Sequence, residues 1–185
     1  MNRDFTVYLF YIVLAVCLII GLLVFIILKI KEHIAEQKKP EPIKCGNISV
    51  LFDQDMNVTI IPYAKDKYGR GKAVGGPQFL AQPYKPEALG RIVRYSMKLC
   101  EGGVTCTDNE LMSRLSFKGW KEFSEGKRNI SVHYQEKHGI VFNTTRRRDD
   151  GAYQFNYNGF EKIVNADARD GELGEILMLL LRRCR

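Results

Sequence analysis

From Phe5 to Leu28 the chain carries no charged side chain, and the run FTVYLFYIVLAVCLIIGLLVFIIL is apolar on every helical face. At about 1.5 Å per residue, a helix of that length matches the roughly 30 Å hydrocarbon core of a bilayer. Tyr8 and Tyr11 stand near one end, where amphipathic rings favour the headgroup layer, and Lys29 and Lys31 close the other. A cleaved leader would need a shorter core, a basic start and a small-residue cleavage site, and LKIKEHIAEQ supplies no such site. The pattern predicts a short tail at 1–4 and a retained transmembrane helix at 5–28, with the bilayer as a partner. Lys29, Lys31, Lys38 and Lys39 follow the span and only Arg3 precedes it, which predicts a single pass with the carboxyl-terminal domain in the cytoplasm.

Beyond the span the pattern changes from one long apolar run to short alternating ones. Residues 29–44 are charged and end in Pro40 and Pro42, a juxtamembrane linker, and the folded domain is expected over 45–185. NISVLF (47–52) and NVTIIP (57–62) flank a polar turn and read as a hairpin; YAKDKYGRGKAVGG (63–76) reads as a Gly- and Lys-rich loop. Pro86 and Glu87 open a helix whose apolar stripe is Leu89, Ile92, Val93 and Met97. Thr107 precedes a short helix through Leu115, and FKGWKEF (117–123) reads as another. NISVHY (129–134) and IVFNTT (140–145) form a second hairpin, 152–157 and 160–164 are short strands, and Asp170 caps a last helix.

The chain also repeats. NISV opens both hairpins 82 residues apart, while Leu89-Gly90 and Leu173-Gly174 open the following helices, and Cys100 and Cys184 close them, 84 apart. Two extra residues in the second loop account for the shift. The expected fold is α+β: two related hairpin-then-helix halves that share one sheet, since a lone hairpin is marginal.

Charge changes this picture little. Of 28 basic and 21 acidic residues, the first 44 positions hold six and four, leaving 22 and 17 and a net charge of +5 on residues 45–185. That moderate excess does not call for direct contact with nucleic acid. Cys45, Cys100, Cys106 and Cys184 stand singly, without C-x-x-C or His at metal spacing, as suits reduced thiols. Asn47, Asn57, Asn129 and Asn143 begin N-x-S/T triplets, which in a lumenal glycoprotein would accept glycans. The topology read from the basic residues favours chance triplets.

The chemistry expected of an enzyme is not found. G-x-S-x-G, H-E-x-x-H and a phosphate-binding G-x-x-x-x-G-K-[ST] are missing from the sequence, and no cofactor or metal is expected. Binding features are better marked. Trp120, the single tryptophan, lies between Phe117 and Phe123 and either plugs the core or anchors a partner. Tyr153, Phe155 and Tyr157 alternate on one face of a strand, which reads first as core packing, while an exposed edge of that sheet could receive a partner strand. Arg146, Arg147 and Arg148 read first as a solvated loop that Asp149 and Asp150 neutralise, and could also meet carboxylates of an acidic partner.

The second half resembles a known family. Ser116-Phe117-Lys118-Gly119-Trp120-Lys121-Glu122-Phe123, then Ile130-Ser131-Val132, Thr145-Arg146 and Glu172-Leu173-Gly174-Glu175-Ile176-Leu177 are similar to blocks in the immunity protein family of contact-dependent growth inhibition systems of Gram-negative bacteria. Ile60-Ile61-Pro62 and Glu87-Ala88-Leu89-Gly90 extend the likeness, which covers roughly Ile48 to Arg185. The resemblance implies a non-enzymatic inhibitor that binds the C-terminal toxin domain delivered by a neighbouring cell, often a nuclease. It carries no binding residue across, and the basic domain departs from acidic mimics of nucleic acid. The combined expectation is an immunity protein anchored in the bacterial inner membrane. A single-pass scaffold or signalling protein with a basic ligand-binding domain is the alternative.

Overall fold

The computed structural model describes residues 3–37, 40–66, 68, 71–74, 76–102, 104–156 and 161–184. It falls into two units, Met1–Lys39 and Pro40–Arg185. In the first, α1 (Arg3–Gln37) is one helix. Its side chains are described at 13, 14 and 16–31, and all of these are exposed. Among the described residues no helix is long and apolar enough to cross a membrane. This overturns the expected transmembrane segment at 5–28, and with it the single-pass inner-membrane placement and the bilayer as a partner.

The second unit is an α+β domain. Its strands are β1 (Asn47–Phe52), β2 (Val58–Lys65), β3 (Gly71–Ala73), β4 (Gln78–Leu80), β5 (Arg128–Gln135), β6 (Gly139–Arg147), β7 (Tyr153–Phe155) and β8 (Lys162–Val164). The helices are α2 (Pro86–Lys98), α3 (Asp108–Arg114), α4 (Trp120–Phe123) and α5 (Asp170–Leu181). One antiparallel sheet runs β3-β2-β1-β5-β6-β7, with β4 also on β2 and β8 also on β6. The Gly- and Lys-rich stretch is therefore not all loop: β2 continues to Lys65 and β3 returns beside it.

The sheet makes the repeat visible. β1 and β5 meet antiparallel with Ser49 opposite Ser131, the two equivalent serines of the NISV copies. An approximate two-fold axis passes through that pair. Tyr63 pairs with Ala73 on β2–β3 as Thr145 pairs with Phe155 on β6–β7. Val58 pairs with Leu80 on β2–β4 as Ile140 pairs with Val164 on β6–β8. The offset changes from 82 to 84 between β7 and β8, so the two extra residues lie there.

Strand alternation sends side chains to two separate cores. Ile48, Val50, Phe52, Val58, Ile60, Ile130, Val132, Ile140 and Phe142 face α2 and α5, whose Leu89, Val93, Met97, Leu173 and Leu177 complete the larger cluster. Leu51 and Ile61 point to the opposite face and meet Leu111, Met112, Leu115 and Phe123 of α3 and α4 in a smaller cluster. At fully buried positions each such side chain contributes about 2 kcal/mol of burial free energy, which fixes the register.

The segment from Pro40 is tied in by Arg94, 8% exposed on α2. Its Nε donates to Asp170 Oδ1 at 2.7 Å, its Nη1 to Glu41 O at 2.8 Å, and its Nη2 to Ala168 O. Asp170 is accordingly not the cap of α5: Arg169 holds that position without a side-chain bond, and the Asp170 carboxylate serves Arg94 instead.

Candidate functional site

The small core builds a platform beside the β6–β7 hairpin. Thr107 and Glu110 form a reciprocal capping box that starts α3, and hydrogen bonds from Thr107 hold the Glu110 carboxyl below the usual range. Trp120 of α4 and Phe117, just before it, each meet the Phe123 ring edge-on, at 5.5 and 5.3 Å. Lys127 Nζ lies 4.6 Å from the Phe123 ring centroid and donates to Phe123 O at 2.6 Å, while burial pushes its ammonium pKa down. Trp120 is half-buried and packs against the small core.

The three arginines divide into three roles. Arg147, on β6, braces α4: its Nε donates to Ser124 Oγ at 2.8 Å and its Nη2 to Lys121 O at 2.9 Å. Arg148 pairs with Asp150 at 3.0 Å across the turn, and Asp150 also accepts from Ala152 N–H. Gly151 closes that turn with φ +88°, and a Cβ there would lie 2.5 Å from Lys121 Cα, so only glycine lets the hairpin reach α4. Arg146 points to the other face of the sheet, exposed, and among the described residues it has no ion pair. With the Gln154 amide oxygen turned towards it, its Nη2 donates to that oxygen at 2.6 Å.

Tyr153 is half-buried, its hydroxyl donating to Lys127 O at 3.0 Å; burial pushes its pKa up to about 12, with Arg147 opposing. Asp149 is exposed, and Tyr157 lies outside the described residues. The structure thus gathers Trp120, Arg147 and Tyr153 at one brace, keeps Arg148 and Asp150 to themselves, and leaves Arg146 facing solvent. Among the described residues no group of His, Cys, Asp and Glu is placed to hold a metal.

Sequence reasoning named the strand of Phe155, here 58% exposed, but missed its half-buried neighbour Gln154. The main chain explains why they matter. Arg148 N–H donates to Ala152 O at 2.8 Å and Asn156 N–H to Thr144 O at 3.1 Å. These bonds fix the antiparallel alternation, so Gln154 turns its N–H and C=O to β6 while Tyr153 and Phe155 turn theirs outward. On the equivalent edge the chain caps itself. Thr105 bridges Val74, and Cys106 N–H donates to Ala73 O at 2.8 Å. Ala73, the counterpart of Phe155, is 2% exposed under that strap. No described segment takes the corresponding place on β7.

No protein-family model and no curated protein matches the chain. Two of the solved structures that share the fold follow. A protein of unknown function from Neisseria meningitidis is 14% identical with a TM-score of 0.60, covering 79% of this chain and 99% of that one. A chain of the CdiA-CT/CdiI toxin and immunity complex from Yersinia pseudotuberculosis is 15% identical with a TM-score of 0.57, covering 78% of this chain and 100% of that one.

Proposed function

We propose that this chain is a non-enzymatic inhibitor that binds and neutralises a toxin domain, in the manner of contact-dependent growth inhibition immunity proteins. The observation that carries the reading is the likeness of fold to a chain of the CdiA-CT/CdiI toxin and immunity complex, over that chain's whole length. One feature of the fold supports a docking place for such a partner. The edge of β7, which no described segment covers, offers directional main-chain bonds that a strand of the toxin domain can complete, and neighbouring side chains select among strands.

The test is a titration of the full chain against the toxin domain encoded beside its gene, by calorimetry, together with growth rescue of cells expressing that domain. Nanomolar binding, about −12 kcal/mol, with rescue is the expected outcome. A folded chain that neither binds nor rescues removes the proposal for that toxin.

A further inference from the structure

The outer edge of β7, which no described segment covers, differs chemically on its two sides. On one side Arg146 lies across Gln154, its guanidinium brought by that hydrogen bond from β6 towards the outer strand. Both side chains keep donors to spare: the guanidinium beyond its bond to Gln154, and the Gln154 amide nitrogen. On the other side Phe155 stands 58% exposed where Ala73, in the first half, is buried beneath the chain's own strap.

We infer that the edge selects an extended partner segment with a carboxylate opposite Gln154 and a large apolar side chain opposite Phe155. This inference rests on the toxin-binding reading and names the partner's chemistry at that site. Adjacent residues of a strand point to opposite faces, so a neighbouring acidic–apolar pair meets both sides at once. The carboxylate accepts from Arg146 and from the Gln154 amide, a charge-assisted pair on an otherwise solvated cation. The apolar residue covers Phe155, as α3 and the strap cover the region around Ala73. Arg147 and Arg148 stay outside the recognition, since Ser124, Lys121 and Asp150 already occupy them.

The experiment compares four full-length chains against the neighbouring toxin domain at two salt concentrations: unaltered, Arg146→Glu, Phe155→Ser and Phe79→Ser. Phe79 is an equally exposed aromatic on β4, at the opposite edge. Arg146→Glu and Phe155→Ser are each expected to weaken binding at least tenfold with unchanged melting temperature, and Phe79→Ser less than twofold. One acidic-to-lysine change in the toxin domain is expected to restore binding to Arg146→Glu, and Arg146→Gln to flatten the salt dependence. Binding by the unaltered chain that Arg146→Glu and Phe155→Ser leave intact overturns the inference alone. No binding by the unaltered chain overturns the toxin reading and the inference with it.

Discussion

Gly90 of α2 and Gly174 of α5 are equivalent residues, and each lies against the other helix's first turn. A Cβ on Gly90 would fall 1.8 Å from Asp170 O, and one on Gly174 would fall 2.0 Å from Pro86 O. The helices approach this closely because neither carries a side chain at the crossing. Gly90→Ala and Gly174→Ala should each lower stability by roughly 3 kcal/mol, read from urea midpoints. The double variant should lose less than the sum, because one displacement of the helix pair relieves both clashes. Wild-type midpoints for both single variants would contradict the packing described.

Arg94 concentrates three contacts on one buried guanidinium. Arg94→Met should cost about 3 kcal/mol, since it leaves Asp170 and two carbonyls without their donor. Asp170→Asn should cost less, and a double-mutant cycle should return a positive coupling energy. Strict additivity would mean that the pair is not a stabilising unit.

Arg147 holds α4 to the hairpin through Ser124 and Lys121, and Trp120 reports on that helix because it is the single tryptophan. Arg147→Met should shift tryptophan emission to the red and lower stability by about 1–2 kcal/mol. An unchanged emission maximum would detach Trp120 from the brace.

His133, on β5, is half-buried, with its Nε2 2.8 Å from the Gln135 amide nitrogen. Burial lowers its pKa below the ordinary value, so the unfolded chain takes up the proton first as pH falls. Stability should decline from about pH 7 towards pH 5, through the unfolded value near 6.5 and on to the lower folded value. His133→Gln should flatten that part of the profile in melts at pH 7.5 and 5.5. Parallel profiles would assign the loss to other groups.

The domain's cysteines are protected. Burial pushes the Cys45 thiol up to about 12 and raises those of Cys100 and Cys184, while Cys106 is buried. In a thiol titration at pH 8 these four should react slowly in the folded chain and fully in denaturant. Rapid folded-state labelling of all four would place them at the surface.

Much of the domain was legible from spacing alone. The NISV copies and the Leu-Gly helix starts specify two halves, and the capping residues Thr107 and Glu110 place α3. What could not be read were relations between residues distant in the chain. Arg147 looks like its neighbours in the sequence, and only the position of Ser124 and Lys121 makes it a brace. Asp170 looks like a cap because nothing nearby announces Arg94. The length of the apolar run from Phe5 suggested a membrane span that the described part of α1 does not provide. Phe155 reads as core by alternation, since its strand gives no sign that no described segment takes the place of its counterpart's strap.

The approximate two-fold has a consequence for how such a protein changes over time. One half is closed by its own strap, whereas no described segment covers the matching edge of the other. A substitution at Gln154 or Phe155 leaves the Ser49–Ser131 seam and the Gly90–Gly174 crossing as they were. A lineage can therefore retune what it accepts one surface residue at a time, while the duplicated scaffold keeps the same shape.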